Sequence, residues 1–233
     1  MNTTIDLNTK EKITWCPGCL NNVALIAFKK AIKELGEEGK VDPMKIVLVT
    51  DIGCNGKIYD YVNLSSIYGL HGRVIPAAYG TKIGNPDLKV IGFAGDGGTY
   101  GEGMGHVVSA SRKNFPITMF VLNNGVFALT KGQTSPTKKD SDNIAPLAIA
   151  RAAGAKFLAR GTTFFPDQLT ILMKEAIMHD GFSLTDIVQP CIIFNNNSTE
   201  LRERLERVEA MGEEQLSDEL KQGKIHTGIY IEK

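Results

Sequence analysis

Two hydrophobic patterns alternate along this chain of 233 residues. Continuous runs rich in Val, Ile and Phe predict buried β-strands, whereas apolar residues that recur every three or four positions predict helices. The predicted strands cover 45–51, 89–94, 117–122, 156–159 and 186–194, and the predicted helices cover 21–37, 103–114, 144–153 and 166–179. This alternation is typical of an α/β fold with a doubly wound, mostly parallel sheet.

The pattern changes near residue 198. Residues 198–233 are rich in charge, and their apolar positions form only an incomplete helical stripe, made by Leu201, Leu205, Val208 and Leu216. A stripe of this kind favours a surface helix over a partner-binding arm. We therefore predict one domain over 1–197, followed by a charged helical tail over 198–233.

Composition narrows the class of protein. Hydrophobic residues make up 42% of the chain and charged residues 22%, which is usual for a globular protein. Lys+Arg and Asp+Glu are equal at 26 each, so no net field favours nucleic acid or an anionic membrane as partner. No apolar run approaches the roughly 20 residues that span a bilayer, and the polar start lacks the apolar core of a secretion signal. The expected location is cytoplasmic.

Polar, glycine-containing turns follow three of the predicted strands, and the carboxyl ends of parallel strands meet at one edge of a sheet. Asp96 lies in the turn Gly95-Asp96-Gly97-Gly98, and Asn124 lies in a turn that is separated from Gly97 by 25 residues. The Asp96 carboxylate, the Asn124 amide oxygen and the Val126 carbonyl are ligands that suit Mg²⁺. Backbone N–H groups of Gly95, Gly97 and Gly98 can surround a phosphate. A GDG triplet alone is usually a plain turn, but its pairing with Asn-Asn at this distance resembles the thiamine-diphosphate motif.

The four cysteines of the chain form the second candidate site. Cys16 and Cys19 share the loop WCPGCL, Cys54 follows the first predicted strand, and Cys191 lies in QPCIIF. In a cytosolic protein a CxxC pair indicates metal binding or redox chemistry more often than a disulfide. By spacing alone, four thiolates suit a [4Fe–4S] cluster and a structural zinc about equally, and Cys191 could also be an unrelated buried thiol.

Five segments, taken in order, resemble the β subunits of the 2-oxoacid:ferredoxin oxidoreductases: WCPGC, DIGCNGK, LHGRVIPAAYGTKIGNPDLKVIGFAGDGG, RKNFPITMFVLNNGVFALTKGQTSPT and QPC. The resemblance implies a thiamine-diphosphate-binding fold and a [4Fe–4S] cluster on all four cysteines. It implies that Mg²⁺ is bound by Asp96, Asn124 and the Val126 carbonyl. It places the thiamine site at Ile52, Gly53, Cys54, Asn55, His71, Gly95, Gly97, Gly98, Ala128 and Leu129. Gly98 stands where many members have an aspartate, and Phe127 where a tyrosine is frequent.

The resemblance also implies an activity. Members carry out the coenzyme A-dependent oxidative decarboxylation of a 2-oxoacid and pass the electrons through the cluster to ferredoxin. The partner α chain supplies the glutamate that activates the cofactor, and γ and δ chains are further candidate partners. The residues predicted beside the substrate are His71, Lys57, Lys131 and Leu129. Lys57 and Lys131 are included because each lies in a loop at the cofactor edge of the predicted sheet, and the alternative is that they are only solvated charges.

The segments IGCNGK and TKGQTSPT look more like members that act on 2-oxoglutarate or a broad range of 2-oxoacids than like pyruvate-specific members. A lysine ammonium is a suitable counter-charge for a substrate carboxylate. Two other classes stay open. A non-oxidative thiamine-dependent decarboxylase or synthase subunit would need no cluster, and a non-catalytic iron–sulfur or zinc assembly module would not bind the diphosphate.

Overall fold

The computed structural model describes residues 5–138, 142–221 and 223–232 of the chain. Its helices are α1 Asn21–Glu37, α2 Val74–Gly84, α3 Met104–Lys113, α4 Pro146–Ala152, α5 Pro166–Met178 and α6 Ser198–Arg204. The strands of its main sheet are β1 Ile46–Thr50, β2 Ser65–Tyr68, β3 Lys89–Gly95, β4 Thr118–Asn123, β7 Phe157–Thr162, β8 Ser183–Val188, β9 Leu205–Ala210 and β10 Ile225–Ile231. A small hairpin is made by β5 Val126–Phe127 and β6 Gln133–Thr134.

The main sheet has eight strands in the order β2-β1-β3-β4-β8-β7-β10-β9. The first six in this order are mutually parallel. β10 runs antiparallel to β7 and parallel to β9. The predicted α/β fold with a doubly wound, mostly parallel sheet is therefore confirmed.

Helices cover both faces of the sheet, which explains why its central strands are continuously apolar. All six residues of β4 are buried. On one face, α1 and α5 pack against the sheet, and the Phe28 ring of α1 meets the Phe93 ring of β3 edge to face at 4.9 Å between centroids. On the other face, α2, α3 and α4 contribute Ile75, Val107 and Leu147 to a second buried cluster. The packing of these two buried clusters holds in place the strand ends at which the candidate site lies.

The predicted strand over 186–194 is wrong in its bounds. The observed strand β8 begins at Ser183 and ends at Val188. Its first residues look polar in the sequence, yet Ser183 and Thr185 are fully buried, and the Ser183 hydroxyl donates to the Ala176 carbonyl at 2.8 Å. Pro190 follows the strand and has no N–H to donate to a neighbouring strand.

The helical tail predicted over 198–233 is wrong where the chain forms strands. Helix α6 covers its first seven residues and a 3₁₀ helix covers Glu213–Leu220, but β9 and β10 extend the main sheet. Arg160, which lies on β7, binds the C-terminal segment through its side chain. Its buried guanidinium donates to the carbonyls of Gln215 at 2.8 Å, Leu216 at 3.2 Å and His226 at 3.4 Å. Pairing with distant residues has overridden the local helical pattern.

In the described part of the chain, the helices are too short or too polar to cross a lipid bilayer.

We expect Arg160→Met to lower the free energy of unfolding by roughly 3 kcal/mol, because one buried and two half-buried carbonyls lose their donor together. Equilibrium urea unfolding measures this change. Arg207→Met is the matched control, since Arg207 makes a two-bond pair with Asp167 at 2.7 and 2.8 Å on the surface. Exposed pairs contribute weakly, so the control should unfold almost as the parent does. Equal losses in the two variants would contradict the role given to Arg160.

Candidate cofactor site

A cleft opens at the carboxyl ends of β1, β3 and β4, where parallel α/β sheets bind their ligands. Four chain segments line it: residues 52–55 after β1, His71 before α2, residues 95–98 at the end of β3, and Asn124 with residues 126–130 after β4. The structure therefore brings together every residue that the sequence placed at the cofactor and Mg²⁺: Ile52, Gly53, Cys54, Asn55, His71, Gly95, Asp96, Gly97, Gly98, Asn124, Val126, Ala128 and Leu129.

The carboxylate of Asp96 lies at the floor of this cleft and is almost fully buried. It accepts hydrogen bonds from the Ser135 hydroxyl, from the Thr137 hydroxyl at 2.9 Å and from the Gly125 N–H at 3.1 Å. Burial raises the pKa of Asp96, and the hydrogen bonds from Ser135 and Thr137 oppose that rise. The carboxylate is thus held in one orientation by donors from two other loops.

The Asn124 side chain is fixed by its own loop. Its Oδ1 accepts from the Val126 N–H at 3.0 Å, and its backbone carbonyl accepts from the Asn195 side chain at 2.8 Å. Gly125 between them has φ +74°, a left-handed conformation that favours glycine. The three oxygen groups expected at a magnesium ion therefore come from two adjacent turns.

Glycine is required in the GDGG turn by close packing. A Cβ at Gly97 would overlap the Phe127 ring, and a Cβ at Gly98 would overlap the Asp51 carboxylate. A Cβ at Gly95 would lie 2.8 Å from the Asn55 side-chain nitrogen. The backbone of this turn can therefore approach the other walls of the cleft closely.

Asn55 contributes a buried amide to the cleft. Its Nδ2 donates to the Leu122 carbonyl at 2.9 Å, whereas its Oδ1 has no hydrogen-bond partner among the described residues. A buried acceptor without a partner is costly, and a bound ligand that donates a hydrogen bond would remove that cost.

His71 lies between two acids that the sequence reasoning missed. Its Nδ1 is 3.0 Å from the Ile52 carbonyl and 3.5 Å from the Asp51 carboxylate, and its Nε2 is 3.3 Å from the Glu102 carboxylate. Asp51 is fully buried and accepts from the Gly72 N–H at 3.1 Å. Burial raises the pKa of Asp51 to about 6, although the Gly72 hydrogen bond and the nearby His71 lower it. The position of Asp51 at a strand end, like that of Asp96, was the signal available in the sequence.

All four cysteines line a second cavity, next to the cofactor cleft. They are Cys16, Cys19, Cys54 and Cys191, and Cys54 also lines the cleft. Burial raises the pKa of Cys19 and of Cys54, and the other thiols add a smaller effect in the same direction. In residues 5–138, 142–221 and 223–232, no group of three or more His, Cys, Asp or Glu side chains is arranged to hold a single metal ion. The thiols thus share a cavity without converging on one ion position.

Trp15 joins two of the cysteine loops. Its indole N–H donates to the Cys54 carbonyl at 2.6 Å, and its ring packs edge to face on Tyr61 at 4.7 Å. The Cys19 N–H donates to the Cys16 carbonyl at 2.9 Å and closes the CPGC turn, in which Gly18 has φ +79°. The contact between Trp15 and Cys54 holds this turn against the loop after β1, and it could not be predicted from the sequence.

The two candidate substrate lysines lie outside the cofactor cleft as the described residues form it. Lys57 lines the cysteine cavity, and its ammonium is 2.7 Å from the Asp60 carboxylate, a hydrogen bond that raises the pKa of Lys57. Lys131 is exposed in the turn between β5 and β6 and has φ +74°. Leu129, which is exposed, borders both cavities.

Comparison with known proteins agrees with this geometry. Residues 51–187 match the sequence model of the C-terminal TPP binding domain of thiamine pyrophosphate enzymes. The chain is 44% identical over 199 residues to the 2-oxoacid:ferredoxin oxidoreductase subunit beta of Saccharolobus solfataricus, which covers 79% of this chain and 64% of that relative. It therefore spans just under two thirds of that relative's length. It is 32% identical over 238 residues to the 2-oxoglutarate synthase subunit KorB of Methanocaldococcus jannaschii, which covers 94% of this chain and 87% of the relative.

A solved structure is similar over nearly the whole chain. It is a 2-oxoglutarate:ferredoxin oxidoreductase from Magnetococcus marinus with 2-oxoglutarate, coenzyme A and succinyl-CoA bound. The TM-score is 0.89 at 28% sequence identity, and the match covers 97% of this chain and 84% of that one. The chain described here belongs to the thiamine pyrophosphate enzymes and, among them, to the β subunits of the 2-oxoacid:ferredoxin oxidoreductases.

Proposed function

We propose that this chain is the thiamine-diphosphate-binding β subunit of an enzyme that oxidatively decarboxylates a 2-oxoacid with coenzyme A and passes the electrons through a [4Fe–4S] cluster to ferredoxin. One observation carries the proposal: the cofactor cleft and the four-cysteine cavity share a wall, formed by Cys54, Asn124, Ala128 and Leu129. An electron acceptor held by the cysteines would lie directly beside the cofactor. A non-oxidative thiamine-dependent enzyme has no use for such a neighbour.

The cleft residues fit Mg²⁺ and a diphosphate. Asp96 supplies a buried carboxylate, Asn124 an amide oxygen and Val126 a carbonyl, and these are hard oxygen ligands. The Asn55 Oδ1 would accept a hydrogen bond from the bound cofactor. When bound, thiamine diphosphate supplies the nucleophilic carbon and the electron sink for decarboxylation. The chain's own residues bind it, orient it and bury its metal.

The cysteine cavity could hold a metal centre with several thiolate ligands. All four thiols line this one cavity, and four thiolates suit a [4Fe–4S] cluster or a zinc ion. We choose the cluster because the chain belongs to the β subunits of the 2-oxoacid:ferredoxin oxidoreductases. The cavity wall is largely apolar, with Ile192, Ile193 and Phe194 among its residues, and such surroundings limit the access of water to a cluster.

The lining of the cleft and the surface around it both support the presence of a partner α chain. In the described residues, Asp96 is the only carboxylate among the cleft-lining side chains, and the proposal assigns it to the metal. Large apolar side chains are exposed near the two cavities, including Leu70, Leu129 and Ile193. Exposed apolar side chains grouped around a site are typical of a surface that another protein covers. Coenzyme A and ferredoxin are the further partners proposed, with γ or δ chains as additional subunits.

For the substrate we favour 2-oxoglutarate or a broad range of 2-oxoacids, with pyruvate next. The similar solved structure is named as a 2-oxoglutarate enzyme, and a curated relative is named as a 2-oxoglutarate synthase subunit. Lys57 and Lys131 stay the proposed counter-charges for the substrate. The Asp60 partner of Lys57 already offsets part of its charge, which makes the exposed Lys131 the freer counter-charge of the two.

The first prediction concerns the cluster. Protein purified without oxygen should contain about four irons and four sulfides per chain and show a broad visible charge-transfer band. Cys191→Ser should lower the iron content, although Cys191 is far from the other cysteines in sequence, because it lines the same cavity. Iron and sulfide analysis with the visible spectrum measures both. Stoichiometric zinc without iron would contradict the electron-transfer role.

The second prediction concerns Mg²⁺. Asp96→Asn should weaken Mg²⁺-dependent binding of thiamine diphosphate by roughly 10–100-fold or more. Substitution of a residue that only hydrogen-bonds to a metal ligand already causes a loss of this size. Asn124→Ala should act in the same direction but less, because a neutral amide is the weaker ligand. Titration calorimetry on the complex with the α chain measures both. The matched control is Asp218→Asn, a buried carboxylate paired with His226 at 2.8 Å in the C-terminal segment, which should leave affinity unchanged.

The third prediction concerns assembly. The isolated chain should reduce no dye in the presence of a 2-oxoacid and coenzyme A, and turnover should begin when the matching α chain is added. Dye reduction followed by absorbance provides the measurement, with 2-oxoglutarate and pyruvate tested in parallel. Robust turnover by the isolated chain would remove the α chain from the proposal, and turnover with neither substrate after reconstitution would refute the activity.

A further inference from the structure

A series of hydrogen-bonded polar side chains leads from the main sheet to Asp96. It begins at Asp186 of β8, which is buried and accepts from the Tyr100 hydroxyl at 3.0 Å and from the Asn123 Nδ2 at 3.1 Å. Asn123 is the last residue of β4, and its Oδ1 accepts from the Thr137 hydroxyl at 2.7 Å. The same hydroxyl is 2.9 Å from the Asp96 carboxylate. Two strands of the sheet are therefore connected to the proposed metal ligand.

Asp186 sets the orientation of the Asn123 amide. The NH2 group of Asn123 lies 3.1 and 3.3 Å from the two carboxylate oxygens of Asp186, which are acceptors. The amide oxygen therefore points the other way, toward the hydroxyl of Thr137. In the opposite orientation two acceptors would face each other.

Thr137 connects this amide to the loop after β6. Its hydroxyl has one hydrogen and lies between two acceptors, the Asn123 Oδ1 and the Asp96 Oδ2. The Ser135 hydroxyl of the same loop is 3.1 Å from it and also donates to Asp96. The contact with Asn123 thus fixes the loop that supplies both hydroxyl groups to Asp96.

The two oxygens of the Asp96 carboxylate have different surroundings. Oδ2 accepts from the hydroxyls of the loop after β6 and from the Gly125 N–H at 3.1 Å. Oδ1 accepts a longer bond, from the Asn124 N–H at 3.4 Å. The carboxylate is therefore anchored through Oδ2, and Oδ1 is the oxygen more available to a metal ion.

We propose that Asp186, Asn123 and Thr137 are positioning residues that hold Asp96 with one oxygen available, and that they thereby make the site prefer Mg²⁺ to Ca²⁺. Mg²⁺ requires a near-ideal octahedron with oxygens at about 2.0–2.1 Å. Ca²⁺ accepts about six to eight oxygens in flexible geometry, including carboxylates that bind through both oxygens. A carboxylate that can rotate therefore favours Ca²⁺ over Mg²⁺. The inference rests on the proposed function of the cleft.

The test titrates Mg²⁺ and Ca²⁺ separately into the complex with the α chain, at saturating thiamine diphosphate, by calorimetry. Thr137→Val removes the hydroxyl and keeps the shape of the side chain. Mg²⁺ affinity should fall roughly tenfold, as it does when a residue that hydrogen-bonds to a metal ligand is lost. Ca²⁺ affinity should fall by less than about threefold, because Ca²⁺ tolerates a less rigid site. Thr137→Ser keeps a hydroxyl and should keep the preference for Mg²⁺.

Asp186→Asn tests the far end of the series. It places an NH2 group where a carboxylate oxygen accepts from Asn123, so the Asn123 amide is no longer held in one orientation. The ratio of Mg²⁺ to Ca²⁺ affinity should shift in the same direction as in Thr137→Val, but by less. In the double variant Asp186→Asn should add no further shift, because its effect reaches Asp96 through Thr137.

Thr185→Val is the matched control. Thr185 precedes Asp186 on β8 and is fully buried, and its hydroxyl has no hydrogen-bond partner among the described residues. Successive side chains of a strand point to opposite faces, so this hydroxyl lies on the other side of the sheet from Asp186. The variant should bind both metals as the parent does.

The outcomes separate the inference from the proposed function. An equal loss of Mg²⁺ and Ca²⁺ affinity in Thr137→Val would show a structural role and overturn the inference. Unchanged affinities, or a shift in ratio that Asp186→Asn does not share, would also overturn it. If Thr137→Val does not fold, the ratio in Asp186→Asn decides alone. In all these cases the proposed function would stand, whereas a parent complex that binds thiamine diphosphate with neither metal would refute both.

Discussion

The buried carboxylate of Asp96 is the constraint on which the rest of the site depends. An acid in this position loses its hydration, so burial raises its pKa and donors must compensate it. The compensation comes from Ser135, Thr137 and the Gly125 N–H, which belong to the loops after β4 and β6. To bring them there, the chain after β4 must fold back through the β5–β6 hairpin. The same hairpin places Phe127 against Gly97 and Leu129 between the two cavities.

The short loop after β1 connects the two proposed chemistries. Asn55 closes the cofactor cleft through its bond to the Leu122 carbonyl, and the adjacent Cys54 lines the cysteine cavity. Trp15 binds the Cys54 carbonyl from the other side. A displacement of this loop would therefore move one proposed cluster ligand and one proposed cofactor contact together. Such coupling suits an enzyme that must hold an electron acceptor at a fixed distance from its cofactor.

The elements that could be predicted from the sequence are the continuously apolar strands and the turns that follow them. Asp96 and Asn124 could be placed together because a strand–helix–strand unit brings both to one sheet edge. The C-terminal strands could not be predicted in this way. The residues of β9 are mostly exposed and charged, and its place in the sheet depends on pairing with β10 and on Arg160 some 50 residues earlier. Ser135 and Thr137 were missed for a similar reason, since only the fold of the hairpin brings their hydroxyls to Asp96.

The glycine at position 98 packs closely against the acid that contacts His71. A side chain at this position in this structure would run into the Asp51 carboxylate. A second carboxylate there would raise the pKa of Asp51 further, because two like charges in contact cannot both stay ionised. Asp51 would then stay protonated to higher pH, and its contact with His71 would weaken. In this chain, Gly98 therefore leaves intact the contact between the Asp51 carboxylate and the His71 ring, which lie 3.5 Å apart.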